Sequence, residues 1–286
     1  MDYILNIENL SKKYEGFTLQ EVNFAIPKGV IMGLVGENGA GKTTIIKLIL
    51  NLIKKDAGKI QVFGLDYLQE ELEIKERIGV VLDESGFYGD LRGKDIDLIM
   101  SNIYKNWSHS DFSYFMEKFE LPFNKPIKDL SKGMKIKLSI AIAMSHKPDL
   151  LILDEPTSGL DPIVRNEILD IFLEFIQDEE KSILFSTHIT SDLDKIADYI
   201  TFVHRGKIVF SKDREELLDN YGVVKCRQED LVKLDKEIVV GSQQNRYSHE
   251  VLIKDKQLAQ VKYKDMIIDP VNIEEIMLFY IRGGIR

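Results

Sequence analysis

Gly36-Glu37-Asn38-Gly39-Ala40-Gly41-Lys42-Thr43-Thr44 stands between the apolar run Ile31 to Val35 and the helical pattern Ile45, Ile46, Leu48, Ile49. A strand that empties into a helix through a glycine-rich loop is a phosphate cradle. Gly36, Gly39 and Gly41 permit tight curvature with several backbone N–H groups converging, and the positive end of the following helix faces the same point. Lys42 is long enough to reach the β and γ phosphates of a nucleoside triphosphate, and Thr43 offers a hydroxyl to a metal ion. Asn38, Ala40 and Thr44 complete the loop, and the stretch predicts triphosphate binding.

Leu150-Leu151-Ile152-Leu153 is a second uninterrupted apolar run and ends in Asp154-Glu155, as expected of a strand buried on both faces with acids at its carboxyl end. Taken alone, an acidic turn closing a core strand, helped by Pro156 and Gly159, fits as well. Beside the phosphate loop the chemical reading prevails: Asp154 is placed to reach magnesium, directly or through water, and Glu155 to accept a proton from an attacking water.

Leu130-Ser131-Lys132-Gly133-Met134 precedes the acidic strand and by itself is only a helix start with Ser131 as N-cap. In this order and spacing, however, the chain resembles the ATPase subunit of an ATP-binding cassette (ABC) transporter. In that family the segment is the signature motif, usually Leu-Ser-Gly-Gly-Gln, and the resemblance implies that Ser131 and Gly133 contact the γ-phosphate held by an opposite subunit, so that a dimer encloses two ATP molecules. It further implies that Tyr14 stacks on adenine, that Ser158-Gly159-Leu160-Asp161 crosses to the other subunit, and that His188 reads the γ-phosphate. Singly, each has a plainer explanation: amphipathic packing for Tyr14, a helix N-cap before Pro162 for Asp161, polar surface for His188.

Two departures stand out. After Arg77 to Leu82 the family usually has a glutamine that contacts magnesium; this chain has Asp83, shorter, charged and unable to donate a hydrogen bond. Lys132 and Met134 replace Gly and Gln of the signature, and Leu-Ser-Lys-Gly-Met resembles a variant found in bacterial exporters of antimicrobial peptides, peptide toxins and drugs, which favours export over import.

At 286 residues with 44% apolar content the chain can bury a large core. Thirty-eight basic against 47 acidic residues leave a net charge of −9, a poor footprint for nucleic acid. No run of about eighteen apolar residues and no basic apolar leader is present, so a protein without direct membrane insertion, held at the cytoplasmic face of the membrane by an integral partner, is expected. The single cysteine, Cys226, excludes a disulfide network or multi-cysteine zinc site and reads as a small buried or half-buried side chain.

The pattern predicts an α/β fold: a P-loop NTPase ABC cassette with an antiparallel β layer, a helical subdomain and a small α+β C-terminal appendage. Ile4 to Ile7 and Val22 to Ile26 read as the antiparallel layer; Ile31 to Val35, Ile78 to Leu82, Leu150 to Asp154, Ile183 to Ser186 and Ile200 to His204 as buried strands. A helix opening at Pro162 carries apolar Ile163, Ile168, Ile171, Phe172 and Phe175. Residues 84–146 read as the helical subdomain, with Trp107, Tyr114, Phe115 and Phe119 in its core, and the stretch from Gly86 to Leu91 as a docking groove if Phe87 and Tyr88 are exposed.

His204-Arg205-Gly206-Lys207 reads as a hairpin turn near the end of an ATPase domain spanning 1–212. In the accessory region 213–286 a helix is expected at Asp213 to Asn220, strands at Ile238 to Val240, Val251 to Ile253, Val261 to Tyr263 and Met266 to Ile268, and a last helix capped by Asn272 and Glu275.

The sum is an ATP-hydrolysing exporter subunit using ATP and Mg2+, paired with a second ABC subunit as homodimer or heterodimer and docked to an integral membrane subunit. Its site comprises Tyr14, Gly36, Asn38 to Thr44, Asp83, Ser131, Gly133, Asp154, Glu155, Asp161 and His188. A soluble ABC ATPase acting on ribosomes or DNA is the alternative, disfavoured by one phosphate loop, no extended heptads and one cysteine. A nucleotide-gated regulatory module with little hydrolysis is the other.

Overall fold

The computed structural model describes residues 2–82, 86–244 and 248–282. Asp83, the departure from the family pattern, lies outside the described residues. The chain opens with two long antiparallel strands, β1 (Tyr3–Tyr14) and β2 (Phe17–Pro27), each extending well beyond the apolar runs that signal them. Then come β3 (Ile31–Val35), α1 (Lys42–Ile49), β4 (Ala57–Val62), β5 (Leu65–Asp66), α2 (Glu71–Glu76) and β6 (Ile78–Val81). Three helices follow, α3 (Gly93–Ile103), α4 (His109–Lys118) and α5 (Lys132–Met144), before the alternating series β7 (Leu150–Asp154), α6 (Pro162–Phe175), β8 (Ser182–Thr187), α7 (Thr190–Ile196), β9 (Tyr199–His204) and β10 (Lys207–Asp213).

A six-stranded sheet in the order β10-β9-β3-β8-β7-β6 forms the centre, parallel throughout except at β9-β10. Every residue of β3, β7 and β8 is buried, which is why these strands read as unbroken apolar runs rather than alternating ones. The antiparallel sheet β2-β1-β4-β5 and α1 share one core with one face of the central sheet, through Leu5, Ile7, Leu10, Val22, Ile26, Ile45 and Ile49. The opposite face carries the helical insertion together with α6 and α7. Arg205 and Gly206 both take positive φ, 47° and 76°, as a two-residue turn between β9 and β10 requires.

Several local expectations give way to packing. Ile163, in the first turn of α6, is 73% exposed, whereas Ile168, Leu169, Ile171, Phe172 and Phe175 are buried. Tyr114 is 56% exposed; Phe119 is buried, and Trp107 and Phe115 pack partly against the same core. Tyr88 is 84% exposed, whereas Phe87 leans on the core.

The C-terminal part holds α8 (Arg214–Asn220), β11 (Gly222–Cys226), α9 (Gln228–Leu231), β12 (Val239–Gln244), β13 (His249–Ile253), α10 (Lys256–Lys262), β14 (Ile268–Asp269) and α11 (Ile273–Arg282), with a sheet in the order β12-β13-β11-β14. Residues 261–263, expected as a strand, end α10 instead, Val261 and Lys262 as its last two residues and Tyr263 as its C-cap. Asp255 caps that helix through Leu258 N–H, and the i, i+4 pair Ala259 and Tyr263 is buried beneath it. The capping box of α11 is present: Asn272 N–H donates to Glu275 Oε2 at 3.0 Å, and Glu275 N–H donates to Asn272 Oδ1 at 2.9 Å. Cys226 is buried at the end of β11, and burial pushes its thiol pKa up.

Ile273, Ile276, Met277 and Phe279 of α11 join the same apolar core as Phe202 and Phe210 of β9 and β10. The Tyr280 ring lies 5.6 Å from that of Phe210, and its hydroxyl is 2.9 Å from that of Tyr221. Truncation after Tyr221 should therefore bare part of the central core, lowering the thermal midpoint of the remaining cassette by several degrees or driving it to aggregate in a calorimetric scan.

His146 anchors the end of α5. Its ring stacks on Tyr104 at 4.0 Å and its Nε2–H donates to the Ile78 carbonyl at 3.1 Å. Burial holds the imidazole below its ordinary value of 6.5, outweighing the backbone hydrogen bonds that favour the charged form. Below that pH the unfolded chain takes up a proton that the folded chain resists, so stability should fall by up to about 1.4 kcal/mol per pH unit. His146→Leu should lose this slope, so thermal midpoints of wild type and variant measured from about pH 7.5 to about pH 5.5 should converge toward acid.

Candidate functional site

In the parallel register Val35 lies opposite Thr187 and Asp154 opposite Ser186, so the chain leaves β3, β7 and β8 along one sheet edge. Three loops consequently meet: the glycine-rich turn after β3, Asp154-Glu155 at the end of β7, and His188 after β8. Crevices at the carboxyl ends of such strands are where α/β sheets bind ligands.

The first loop curls around the amino end of α1. Gly39 and Gly41 take φ of 79° and 118°, conformations that side chains resist. Gly41 is the N-cap and offers no side-chain acceptor, so the N–H groups of Lys42, Thr43 and Thr44 point outward without a helical partner. Gly36 is needed for another reason: a Cβ there would fall 2.3 Å from the Val203 carbonyl oxygen. The loop, with Phe17 and Glu155, borders a cleft of about 590 Å³ that includes Asn38, Gly39 and Gly41 to Thr44.

Lys42 is buried, a costly place for a cation unless it is partnered. Its Nζ donates to the carbonyls of Gly36 at 2.8 Å and Glu37 at 3.3 Å, and lies 3.2 Å from Glu155 Oε1. The other Glu155 oxygen is 2.7 Å from His188 Nδ1. Glu155 thus bridges a lysine and a histidine from two different loops. Its own backbone has φ 52°, sparsely populated for a residue with a side chain, and is pinned by its N–H donating to the Ser186 carbonyl at 3.1 Å. Asp154 is buried and accepts from Ser186 Oγ at 2.5 Å.

Chemically, outward N–H groups, a helix amino end and a lysine make an anion cradle sized for a polyphosphate. Beside it, Asp154 and the Thr43 hydroxyl are hard oxygen donors suited to magnesium. Magnesium commonly takes one or two protein oxygens and completes its shell with phosphate oxygens and water.

The remaining expected residues fall elsewhere. Tyr14 ends β1, exposed, with the Lys12 ammonium 5.6 Å from its ring, and is not part of the cleft lining. Phe17, its cross-strand partner, is the aromatic at the cleft: a Cβ at Gly41 would meet its Cζ at 3.0 Å. Residue order does not single out Phe17, although two aromatics flanking a tight hairpin are a signal that either could face the loop. Nor does it single out Ser186, whose signal is a polar pair, Ser186-Thr187, ending an otherwise apolar strand. Ser131 caps α5 by accepting from Met134 N–H at 3.2 Å, and Asp161 caps α6 by accepting from Ile163 and Val164 N–H, both at 3.1 Å. Neither they nor Gly133, which abuts Val164 and Leu160, line the cleft.

The sequence pattern described as ABC transporter matches residues 19–158. Over 226 residues the chain is 38% identical to the lantibiotic transport ATP-binding protein SrtF of Streptococcus pyogenes, covering 76% of this chain and 96% of that one. The chain belongs to the ABC transporter family. It is an ATP-binding ATPase of that family, with the mixed α/β fold of ABC cassettes. The ABC transporter ATP-binding protein YtrB of Bacillus subtilis (strain 168) is similar over essentially its whole length, 28% identical across 99% of this chain and 100% of YtrB. A solved structure described as the ATP binding subunit of an ABC transporter superposes with a TM-score of 0.69 at 26% identity, covering 76% of this chain and 92% of that one.

Gly36→Ala should force the loop off the Val203 carbonyl. ATP affinity should fall by at least about tenfold in a titration, because several N–H donors lose their common focus together.

Proposed function

We propose that this chain is the ATP-hydrolysing subunit of an exporter that moves peptides, toxins or drugs. Residues 1–212 act as the ABC ATPase domain and residues 213–286 as an accessory region. The observation that carries the reading is the line Lys42–Glu155–His188, which puts a phosphate-seeking cation, a carboxylate and an imidazole in contact at the mouth of the anion cradle.

A triphosphate seated there would compete with Glu155 and the two carbonyls for the Lys42 ammonium. Glu155 would then be released to accept a proton from water, oriented by His188. Thr43 and Asp154 would hold magnesium, which offsets charge on the phosphate oxygens when bound. Asp83 follows β6, which neighbours β7 in the sheet, and we assign it the role of a further acceptor near that metal.

Ser131 and Gly133 stand apart from the chain's own cleft, which supports a two-subunit arrangement in which they face the triphosphate of a homodimeric or heterodimeric partner. Tyr14, exposed beside Phe17, is assigned to the adenine side. Among the described residues no helix is long and apolar enough to cross a membrane. A separate transmembrane subunit, at whose cytoplasmic side this chain works, is assigned from the relatives named as transport ATP-binding proteins. The peptide-export reading rests on Leu-Ser-Lys-Gly-Met and on the relative named as a lantibiotic transport protein.

Glu155→Gln keeps size and hydrogen bonding but cannot take a proton. Turnover should drop by about 10²–10³-fold while ATP still binds, with a longer-lived dimer on size exclusion in MgATP. Turnover within a few-fold of wild type would remove the assigned base and the reading with it.

A further inference from the structure

Asp192 is a fully buried carboxylate outside the cleft, in the first turn of α7 four residues beyond His188. A buried carboxylate is retained only where strong donors meet it, and here the donors come from the stretch that runs from Glu155 into α6. Thr157, two residues beyond Glu155 and itself buried, donates from Oγ1 to Asp192 Oδ2 at 2.7 Å. Arg165, in the first turn of α6 behind Asp161, donates from Nε to Asp192 Oδ1 at 2.5 Å and from Nη2 to Ser191 Oγ at 2.8 Å. The Asp192 N–H closes the turn by donating to the Ile189 carbonyl at 3.2 Å.

The geometry points to Asp192, with Thr157 and Arg165, as a positioning device that sets the Glu155–His188 pair and ties it to the Asp161 turn. Its reach explains two features together. Glu155 sits in a strained left-handed conformation that neighbouring structure must hold, and the chain leaving it is fastened two residues on by Thr157. The His188 side chain is 41% exposed yet keeps its 2.7 Å contact with Glu155, because the helix that follows it is fastened to the same carboxylate. Any displacement of residues 158–161, where the proposed partner subunit would touch, is passed through Arg165 and Thr157 to the Glu155–His188 contact. This inference rests on the ATPase reading of that pair.

The test is steady-state hydrolysis of MgATP by the full chain carrying Thr157→Val, which removes the hydroxyl at nearly constant volume, with Thr157→Ser as the restoring variant. Thr157→Val should lower kcat by about tenfold or more, since small misplacements of reacting groups are costly, while KM for ATP and the thermal midpoint stay near wild type and Thr157→Ser recovers most of the rate. Asp192→Asn should lower kcat further but also the thermal midpoint, because Arg165 loses its anionic partner, so the decisive reading is that of Thr157→Val. Wild-type kcat in Thr157→Val, failure of Thr157→Ser to restore a lost rate, or a loss of kcat only in step with weakened ATP affinity and stability would each overturn the inference. If instead the wild-type chain showed no turnover, the ATPase reading would fall first and the inference with it.

Discussion

The alignment of β3, β7 and β8 is the constraint on which everything else in this molecule rests. Their backbones are locked in parallel register with Val35 beside Thr187 and Asp154 beside Ser186, and every residue of the three strands is buried. A slip of one residue would swap the side chains that each strand sends to the two covered faces and move its last residue by roughly 3.3 Å. Since Lys42, Glu155 and His188 meet at 2.7 to 3.2 Å, such a slip would dismantle the site. Burial of the sheet centre and geometry of the chemistry are therefore one property.

Charge placement follows from the same edge. Lys42 is buried but never bare, because two carbonyls and the Glu155 carboxylate surround its ammonium. Glu155 is shared in turn between that lysine and His188, which come from two other loops at the same edge. Phosphate oxygens are better partners for a lysine than carbonyls are. The proposed exchange of partners rests on this geometry, a lysine and a histidine sharing one carboxylate beside the glycine-rich loop.

The C-terminal elements are welded to this framework as well as to each other. One small core, around Val224, Val251 and Tyr263, is their own, while α11 contributes to the core that holds β9 and α7. An element that follows the central sheet in the chain therefore braces the face of the sheet that carries the helix behind His188.

Much of this is legible in the residues. Continuous apolar runs mark β3 and β7 because both faces are covered, and the glycine spacing after β3, Pro162 at the start of α6 and the Asn272–Glu275 box all act within a few residues, where sequence and structure are nearly the same thing. Burial is not local, and there residue order misleads. Ile163 and Tyr114 match an apolar face but are exposed, while residues 261–263 have strand composition yet close the end of α10, whose N-cap is Asp255. Strand β11 escapes notice because its short run becomes a strand only between β13 and β14. The phosphate cradle, the acidic strand end and the helix caps can thus be had from residue order alone, since each is a short-range match of backbone conformation to side-chain type. It takes the folded molecule to show that Phe17 borders the cleft, that Ser186 holds Asp154, and that Asp192 gathers Thr157 and Arg165 from 35 and 27 residues away, because hydrogen bonds between distant segments exist only after the sheet has set their spacing.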